Sequence, residues 1–125
     1  MILHKVKVYP SKIHLPKKKQ LAWKIAEIAS NNAKINKNSV EMVINRIIDN
    51  ASVAIASLNR KSVTSSREMA LKHPRKNGAT LFGIDSKLRF DCEWASWSNS
   101  TAVRELDFHD TFLAADYSHP GDNIP

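Results

Sequence analysis

The chain has 125 residues with a net charge of +7, and 42% of its residues are hydrophobic. This length fits a single domain, and three glycines without periodic bias exclude fibrous and low-complexity classes. One cysteine excludes an internal disulfide and favours a reducing, cytoplasmic location, while no apolar run is long enough to predict a signal peptide or membrane span.

The charge is distributed unevenly. All 19 Lys and Arg residues lie in residues 1–104, whereas residues 105–125 contain five acidic residues and no cation. A basic surface attracts nucleic acids, acidic lipids or anionic substrates. It is more often the solvated surface of a lysine-rich protein, and we take that as the first interpretation.

Residues 1–15 alternate loosely and are predicted to form an extended or mobile arm. Pro16 suits the first position of a helix. The helix that follows has one apolar face, formed by Leu21, Ala22, Ile25, Ala26, Ile28 and Ala29. Lys17, Lys18 and Lys19 oppose the helix dipole at its N-terminus, so we expect this helix to fray or to depend on packing.

The second predicted helix has the clearest apolar periodicity. Asn38 can cap it, with Glu41 at the spacing of a capping box, and neither Gly nor Pro interrupts it until well past Arg60. Burial of its stripe would contribute on the order of 10 kcal/mol gross, so we predict that the stripe forms the core. Its members are Val40, Val43, Ile44, Ile47, Ile48, Ala51, Ile55 and Leu58.

A short third helix is predicted from Ser65, with Glu68 completing a capping box and Pro74 ending the helix. Residues 74–78 have the composition of a turn. Residues 80–84 are predicted to be a short strand or an extended segment.

Asp91 can cap a last helix that runs through Leu106. Cys92 is interpreted as a small buried residue rather than a nucleophile. These elements predict an all-α fold with at most one short strand, in which residues 16–125 form an incomplete helical domain.

Residues 106–125 contain four aspartates and two histidines, side chains that can donate and accept protons. Asp107 follows the last helix, whose negative C-terminal dipole raises the cost of ionising a carboxyl group, so it is a candidate proton donor. Alternatively, it only marks the helix end. Histidine as a residue type suits acid–base chemistry near neutral pH, and the Pro-Gly turn after His119 can present its ring to a cleft. Alternatively, it is a loop histidine bonded to a backbone carbonyl. His109 and Asp110 either join the site or satisfy each other and the backbone.

These histidines and aspartates make a metal site conceivable, but the chain has no His-Glu-x-x-His or Cys-x-x-Cys motif. It also has no glycine-rich phosphate loop and no nucleophile elbow. We therefore predict no metal ligand among these residues.

Several segments resemble the MmgE/PrpD family in nearly collinear order. They are His14-Leu-Pro, residues 20–26, residues 44–50, His73-Pro-Arg, residues 78–83 and, above all, residues 103–125. The resemblance implies a cofactor-free lyase group of two-domain proteins, usually dimeric, in which a helical domain accompanies a smaller α+β domain. The chain resembles only the front part of such proteins, so we expect the remainder or a partner chain to be missing. Lys17 to Lys19 replace acidic residues expected at the first helix of the family.

The nearest members remove water from 2-methylcitrate in the methylcitrate cycle of propionate catabolism, so the resemblance implies a tricarboxylate substrate. By resemblance, Asp107 and His119 are catalytic, corresponding to the aspartate of Asp-Phe-x-Asp-Thr and the histidine of His-Pro. Thr111 is expected to face the substrate, and we group His109 with it as substrate-binding. The family draws further histidine and lysine residues from beyond the matching part, so we expect the chain alone to be inactive.

Two other functions remain open. A small basic helical module that binds nucleic acid would fit an isoelectric point near 9.7. However, the cations are not interleaved with aromatic residues, and the acidic C-terminal segment would repel phosphate, which disfavours this function. An interaction scaffold whose helical stripes await a partner is the third hypothesis.

Overall fold

The computed structural model describes residues 6–32, 34–113 and 115–125. The chain divides into two compact units, and the boundary between them in the sequence lies between Ile35 and Asn36. Of the described residues, 52% are helical and 9% lie in strands, which confirms the predicted all-α class; the strand content is minor. Part of the predicted arm, residues 1–5, lies outside the described residues. Within that description, no helix is both long enough and apolar enough to cross a bilayer.

The first unit contains a 3₁₀ turn, Lys17–Lys19, followed by helix α1, Leu21–Ala29. Gln20 is extended between them, so the α-helix begins at Leu21 and not at Pro16 as predicted. The lysine run has no acidic residue in its first turn to compensate the helix dipole, which explains why it does not extend the α-helix. The indole nitrogen of Trp23 donates a hydrogen bond of 2.8 Å to the Glu27 carboxylate one turn later.

The second unit begins with helix α2, Lys37–Ser57. Its cap is Asn36 rather than the predicted Asn38, because the Asn36 side chain accepts a 2.9 Å hydrogen bond from the backbone N–H of Asn38. The cap therefore lies two residues earlier than the capping-box spacing indicated.

The predicted stripe of α2 is not the core. Six of its seven large aliphatic residues are between 43% and 61% exposed: Val40, Val43, Ile44, Ile47, Ile48 and Ile55. The buried face lies instead at Asn50, Val53, Ala54 and Ser57. Because Ala54 and Ser57 are small, the helix can approach its neighbours closely there, and the Ser57 hydroxyl donates to the Ala102 carbonyl.

Two further helices, α3 (Lys61–Leu71) and α4 (Cys92–Arg104), pack against each other, and α2 packs against α4. Helix α3 begins four residues before the predicted Ser65, directly after a turn in which the Arg60 N–H donates to the Ser57 carbonyl. Two small apolar clusters form the core. The first contains Ala54, Val63, Ala102 and Val103, and the second contains Ala70, Leu81, Phe90 and Ala95.

Two segments between α3 and α4 have the opposite conformations from those predicted. Residues 74–78, predicted as a turn, belong to strand β1 (Pro74–Ala79), whose ends bridge to Phe90. Gly78 permits this pairing because a Cβ there would overlap the Phe90 carbonyl. Residues 80–84, predicted as extended, form a loop that the Asn99 side chain holds through two hydrogen bonds.

Helix α4 has the predicted cap. The Asp91 carboxylate accepts a 3.0 Å hydrogen bond from the backbone N–H of Glu93, and a hydrogen bond from the Arg75 guanidinium holds the pKa of Asp91 below its usual range. The helix ends at Arg104, two residues before Leu106. The prediction that Cys92 is buried is wrong: this first helical residue is exposed.

After α4 the chain forms a small hairpin, in which β2 (Phe112–Leu113) pairs antiparallel with β3 (Tyr117–Ser118). A 3₁₀ turn, Pro120–Asn123, follows and contacts both α2 and α4. The C-terminal segment therefore packs against α2 and α4, and both helices contribute residues to the core.

Candidate functional site

Asp107 and His119 lie beside each other. Asp107 lies three residues beyond the end of α4 and adopts a positive φ of 48°, which aspartate tolerates better than most residues. His119 precedes the 3₁₀ turn, at the far end of the hairpin. Its Nε2 atom is 3.9 Å from Oδ1 of Asp107, so the hairpin brings together the two side chains predicted to be catalytic.

The ring of His119 is fixed by a backbone carbonyl. Its Nδ1 atom is 2.6 Å from the carbonyl oxygen of Asp110, and the imidazole is largely buried. A carbonyl oxygen can only accept a hydrogen bond, so Nδ1 carries the hydrogen and Nε2 of the neutral ring carries the lone pair. The two alternatives for His119 therefore coincide: it is bonded to a carbonyl, and that bond directs its basic nitrogen towards Asp107.

His109 lies behind His119. Its ring is fully buried with its centroid 4.9 Å from that of His119, and its Nε2 is 2.7 Å from a carboxylate oxygen of Asp122. Nδ1 is buried without a hydrogen-bond partner among the described residues. With no exposed side-chain surface, His109 can touch a substrate only if Asp122 or the surrounding loop moves.

Asp110 is the buried centre of the segment, with a side chain only 1% exposed. Its Oδ1 accepts a 3.0 Å hydrogen bond from the backbone N–H of Gly121, and its Oδ2 is 3.7 Å from Nε of Arg46. The carbonyl of Gly121 in turn accepts a 2.7 Å hydrogen bond from the Asn50 side chain. His109 and Asp110 thus do not satisfy each other, as one alternative proposed, but each binds a different partner.

Thr111 follows Asp110 directly in the chain, just before strand β2. It is exposed and lines an apolar pocket of about 420 Å³. The pocket is lined by Met42, Val43, Arg46, Asp110, Thr111, Phe112, Pro120, Gly121 and Ile124. Thr111 and Arg46 therefore line one concavity whose walls are predominantly apolar.

Arg104 supplies a positive charge that the sequence of the segment lacks. Its Nη1 is 3.1 Å from Oδ1 of Asp107 and 3.9 Å from Oδ2 of Asp122, and its side chain is 47% exposed. The spacing of three residues between Arg104 and Asp107 was a readable signal for this ion pair. Across the described ranges, no group of three His, Cys, Asp or Glu side chains is arranged to hold a metal ion.

Sequence reasoning missed Arg46 and Asn50. Arg46 and Asn50 lie on α2, far from the C-terminal segment in sequence, and their contacts with it could not be read from local spacing. One signal was present: Asn50 is a polar residue on the same helical face as Val53, Ala54 and Ser57, where an unpaired amide would be costly.

One of the comparisons with known proteins covers the Asp107–His119 segment. The MmgE/PrpD N-terminal domain matches residues 19–125. A stretch of 48 residues is 44% identical to a 2-methylcitrate dehydratase of Salmonella typhi, covering 38% of this chain but only 10% of that protein. No solved structure matches the chain. Because the family domain matches most of the chain, from the first helix through the Asp107–His119 segment, this protein belongs to the MmgE/PrpD family.

Proposed function

We propose that this chain supplies the N-terminal part of the active site of a 2-methylcitrate dehydratase. Such a hydro-lyase converts 2-methylcitrate into 2-methyl-cis-aconitate and water in propionate catabolism. The observation that carries the proposal is the 3.9 Å approach of His119 Nε2 to Asp107, with the lone pair on Nε2, within the matched family domain.

The proposed chemistry assigns the two side chains complementary roles. Nε2 of neutral His119 removes the proton from the carbon beside a substrate carboxylate, and the electron pair of that C–H bond forms the double bond as the C–O bond breaks. The hydroxyl group departs as water after an acid protonates it. The Asp107 carboxylate stabilises the imidazolium cation that forms on His119.

We assign substrate binding to Thr111 and Arg46, because both residues line the same pocket and both side chains can donate hydrogen bonds to a carboxylate. His109 supports the His119 ring from behind. The acid for the departing hydroxyl and further cations for a tricarboxylate come, on this proposal, from a segment or partner chain outside these 125 residues. The completed enzyme would be a cytoplasmic homodimer without a cofactor.

A segment exchange tests the proposal directly. The matching N-terminal portion of the Salmonella typhi 2-methylcitrate dehydratase is replaced by this chain, and formation of the conjugated alkene is followed by ultraviolet absorbance. We expect turnover in the chimera, and a loss of kcat by at least about 10²-fold in its His119→Gln and Asp107→Asn variants.

Exposed residues outside the pair provide the control, and Ser118→Ala, on the neighbouring strand, should leave kcat unchanged. An active chimera that keeps its kcat in the His119→Gln variant would overturn the assignment of the base. The 125-residue chain alone should form no alkene; turnover by it would refute the proposal that essential groups lie elsewhere.

A further inference from the structure

Gly121 is held from two sides by buried side chains. The Asp110 carboxylate accepts from its N–H, and the Asn50 amide donates to its carbonyl. A Cβ at this position would lie 2.6 Å from Oδ1 of Asn50 and would overlap the Asp110 carboxylate. Only glycine at this position therefore lets the Asp110 carboxylate reach the N–H and the Asn50 amide reach the carbonyl of residue 121.

The two hydrogen bonds between Gly121 and the side chains of Asp110 and Asn50, which we call the clamp, are connected to the ring of His119 at two points. Gly121 follows His119 by two residues, and the carbonyl of Asp110 accepts the hydrogen on Nδ1 of His119 at 2.6 Å. Asp110 thus holds the turn with its carboxylate and the imidazole with its backbone oxygen. Asn50 attaches the assembly to α2, and Arg46, one turn earlier on that helix, lies 3.7 Å from Oδ2 of Asp110.

Asn50 carries a feature that stability alone does not explain. Its Oδ1 is buried without a hydrogen-bond partner among the described residues, and such an orphan acceptor is destabilising. An apolar side chain of similar size would remove that cost. What such a side chain could not supply is the donor that fixes the Gly121 carbonyl.

We propose that Asn50 and Asp110 are positioning residues that hold His119 in its Nδ1–H tautomer, which keeps the lone pair on Nε2, the ring nitrogen 3.9 Å from Asp107. Neither residue acts on the substrate; both act through the turn that carries His119. The inference rests on the proposed acid–base role of His119 for its functional meaning. The tautomer itself can be measured on the 125-residue chain without turnover, so the two proposals can fail separately.

The test is a long-range ¹H–¹⁵N correlation spectrum of the histidine-labelled chain above the pH at which the imidazoles are neutral. Protonated and unprotonated ring nitrogens have well-separated ¹⁵N shifts, and a neutral histidine in water favours the Nε2–H form. We expect His119 to show the opposite, Nδ1–H pattern in the wild-type chain. In Asn50→Ala and Asn50→Leu we expect the signal to shift towards the Nε2–H pattern.

Asn45→Ala is the matched control, because Asn45 lies on the same helix and is exposed. It should leave the His119 pattern unchanged, and His73, stacked on Trp94 in the other core cluster, should be unchanged in every variant. Circular dichroism confirms the fold of each variant. Asn50→Leu removes the orphan acceptor as well as the donor, so it keeps the test available if Asn50→Ala does not fold.

Two results would overturn the inference: an Nε2–H pattern for His119 in the wild-type chain, or an unaltered Nδ1–H pattern in a folded Asn50 variant. In the chimera, Asn50→Leu should lower kcat with little change in KM and should alter the limb of the pH–rate profile that reports His119. An inactive chimera together with the expected tautomer change would reject the proposed function and retain the positioning role.

Discussion

Replacement of Gly121 by alanine should destabilise the second unit through one small methyl group. The added Cβ cannot coexist with the Asp110 carboxylate and the Asn50 amide in their present positions, so at least one of the two buried hydrogen bonds must break. Relaxation by a side-chain shift is restricted, because the Asp110 side chain is 1% exposed and Asn50 is buried.

The magnitude follows from the two bonds. A hydrogen bond to an ionised group contributes about 1.5–3 kcal/mol and a neutral one about 1 kcal/mol. Alanine also restricts the unfolded chain, which stabilises the folded state by about 0.4–1 kcal/mol. We expect the free energy of unfolding to fall by roughly 0.5–3.5 kcal/mol, the lower end if only the Asp110 bond is lost and the upper end if both bonds are lost.

Urea unfolding followed by circular dichroism measures this change as a shift in midpoint at constant slope. Gly78→Ala is the control, because its Cβ would overlap the Phe90 carbonyl in a separate part of the fold. It should also destabilise the chain but should leave the His119 tautomer unchanged. A Gly121→Ala chain within about 0.3 kcal/mol of wild type would refute the reasoning, since the clamp would then contribute nothing measurable.

Three further predictions concern the fold. Asn36→Ala should lower the free energy of unfolding by about 1 kcal/mol, because it removes the side-chain cap of α2. Ile47→Ser on the exposed face of α2 should change it by less than about 0.5 kcal/mol, whereas Val53→Ala on the buried face should cost about 2 kcal/mol. Acidification should destabilise the chain through Asp91: its folded-state pKa is lowered by the Arg75 hydrogen bond, so its stabilising effect is present above the unfolded value of 3.8 and is lost as pH falls through the folded-state pKa. Urea midpoints of each variant, measured near neutral pH and in an acidic series, check all three.

Each of these has its own contrary outcome. Equal destabilisation by Asn38→Ala and Asn36→Ala would restore Asn38 as the cap. A larger loss from Ile47→Ser than from Val53→Ala would mean that the aliphatic face of α2 is buried in solution. An acid dependence that is the same in Asp91→Asn as in the wild-type chain would assign it to other carboxylates.

The helices were predictable where local chemistry decides them. Asp91 caps α4 as its position before an apolar periodic segment indicates, and the all-α class follows from several such segments. Failures occurred where distant residues decide. Residues 74–78 carry the Pro and Gly of a turn, yet pairing with Phe90 makes them a strand, and no local signal reveals that partner.

The periodicity of α2 illustrates a second limit. A stripe of large aliphatic residues shows that one helical face is apolar, but it does not show which face meets the neighbouring helix. Here Ala54 and Ser57 allow close approach, so the helix buries its small-residue face. The branched residues beside it stay exposed among the described residues, although burial is what their composition favours.

The candidate site was predictable to the same degree. Asp107 and His119 belong to one short segment rich in functional groups, and a hairpin between them brings them together. On the positioning role proposed above, the orientation of the His119 ring depends on Asn50 on α2. Its amide donates a hydrogen bond to the carbonyl of Gly121, 71 residues later in the sequence. That contact depends on the packing of α2 against the 3₁₀ turn, which a single sequence does not encode in its local pattern.

The local charge balance explains why such a site would need groups from elsewhere. Asp107, Asp110 and Asp122 lie within one small region, and among the described residues the arginines paired with them are Arg46 and Arg104, while His109 is also bonded to Asp122. These cations compensate the aspartates and leave no positive excess for a substrate that carries three carboxylates. Since like charges at close range raise the free energy of binding, a tricarboxylate should associate weakly with this chain until additional cations are brought beside Thr111 and Arg46. The described residues therefore supply a pair of side chains for proton transfer, but they do not supply the positive charge that a tricarboxylate requires.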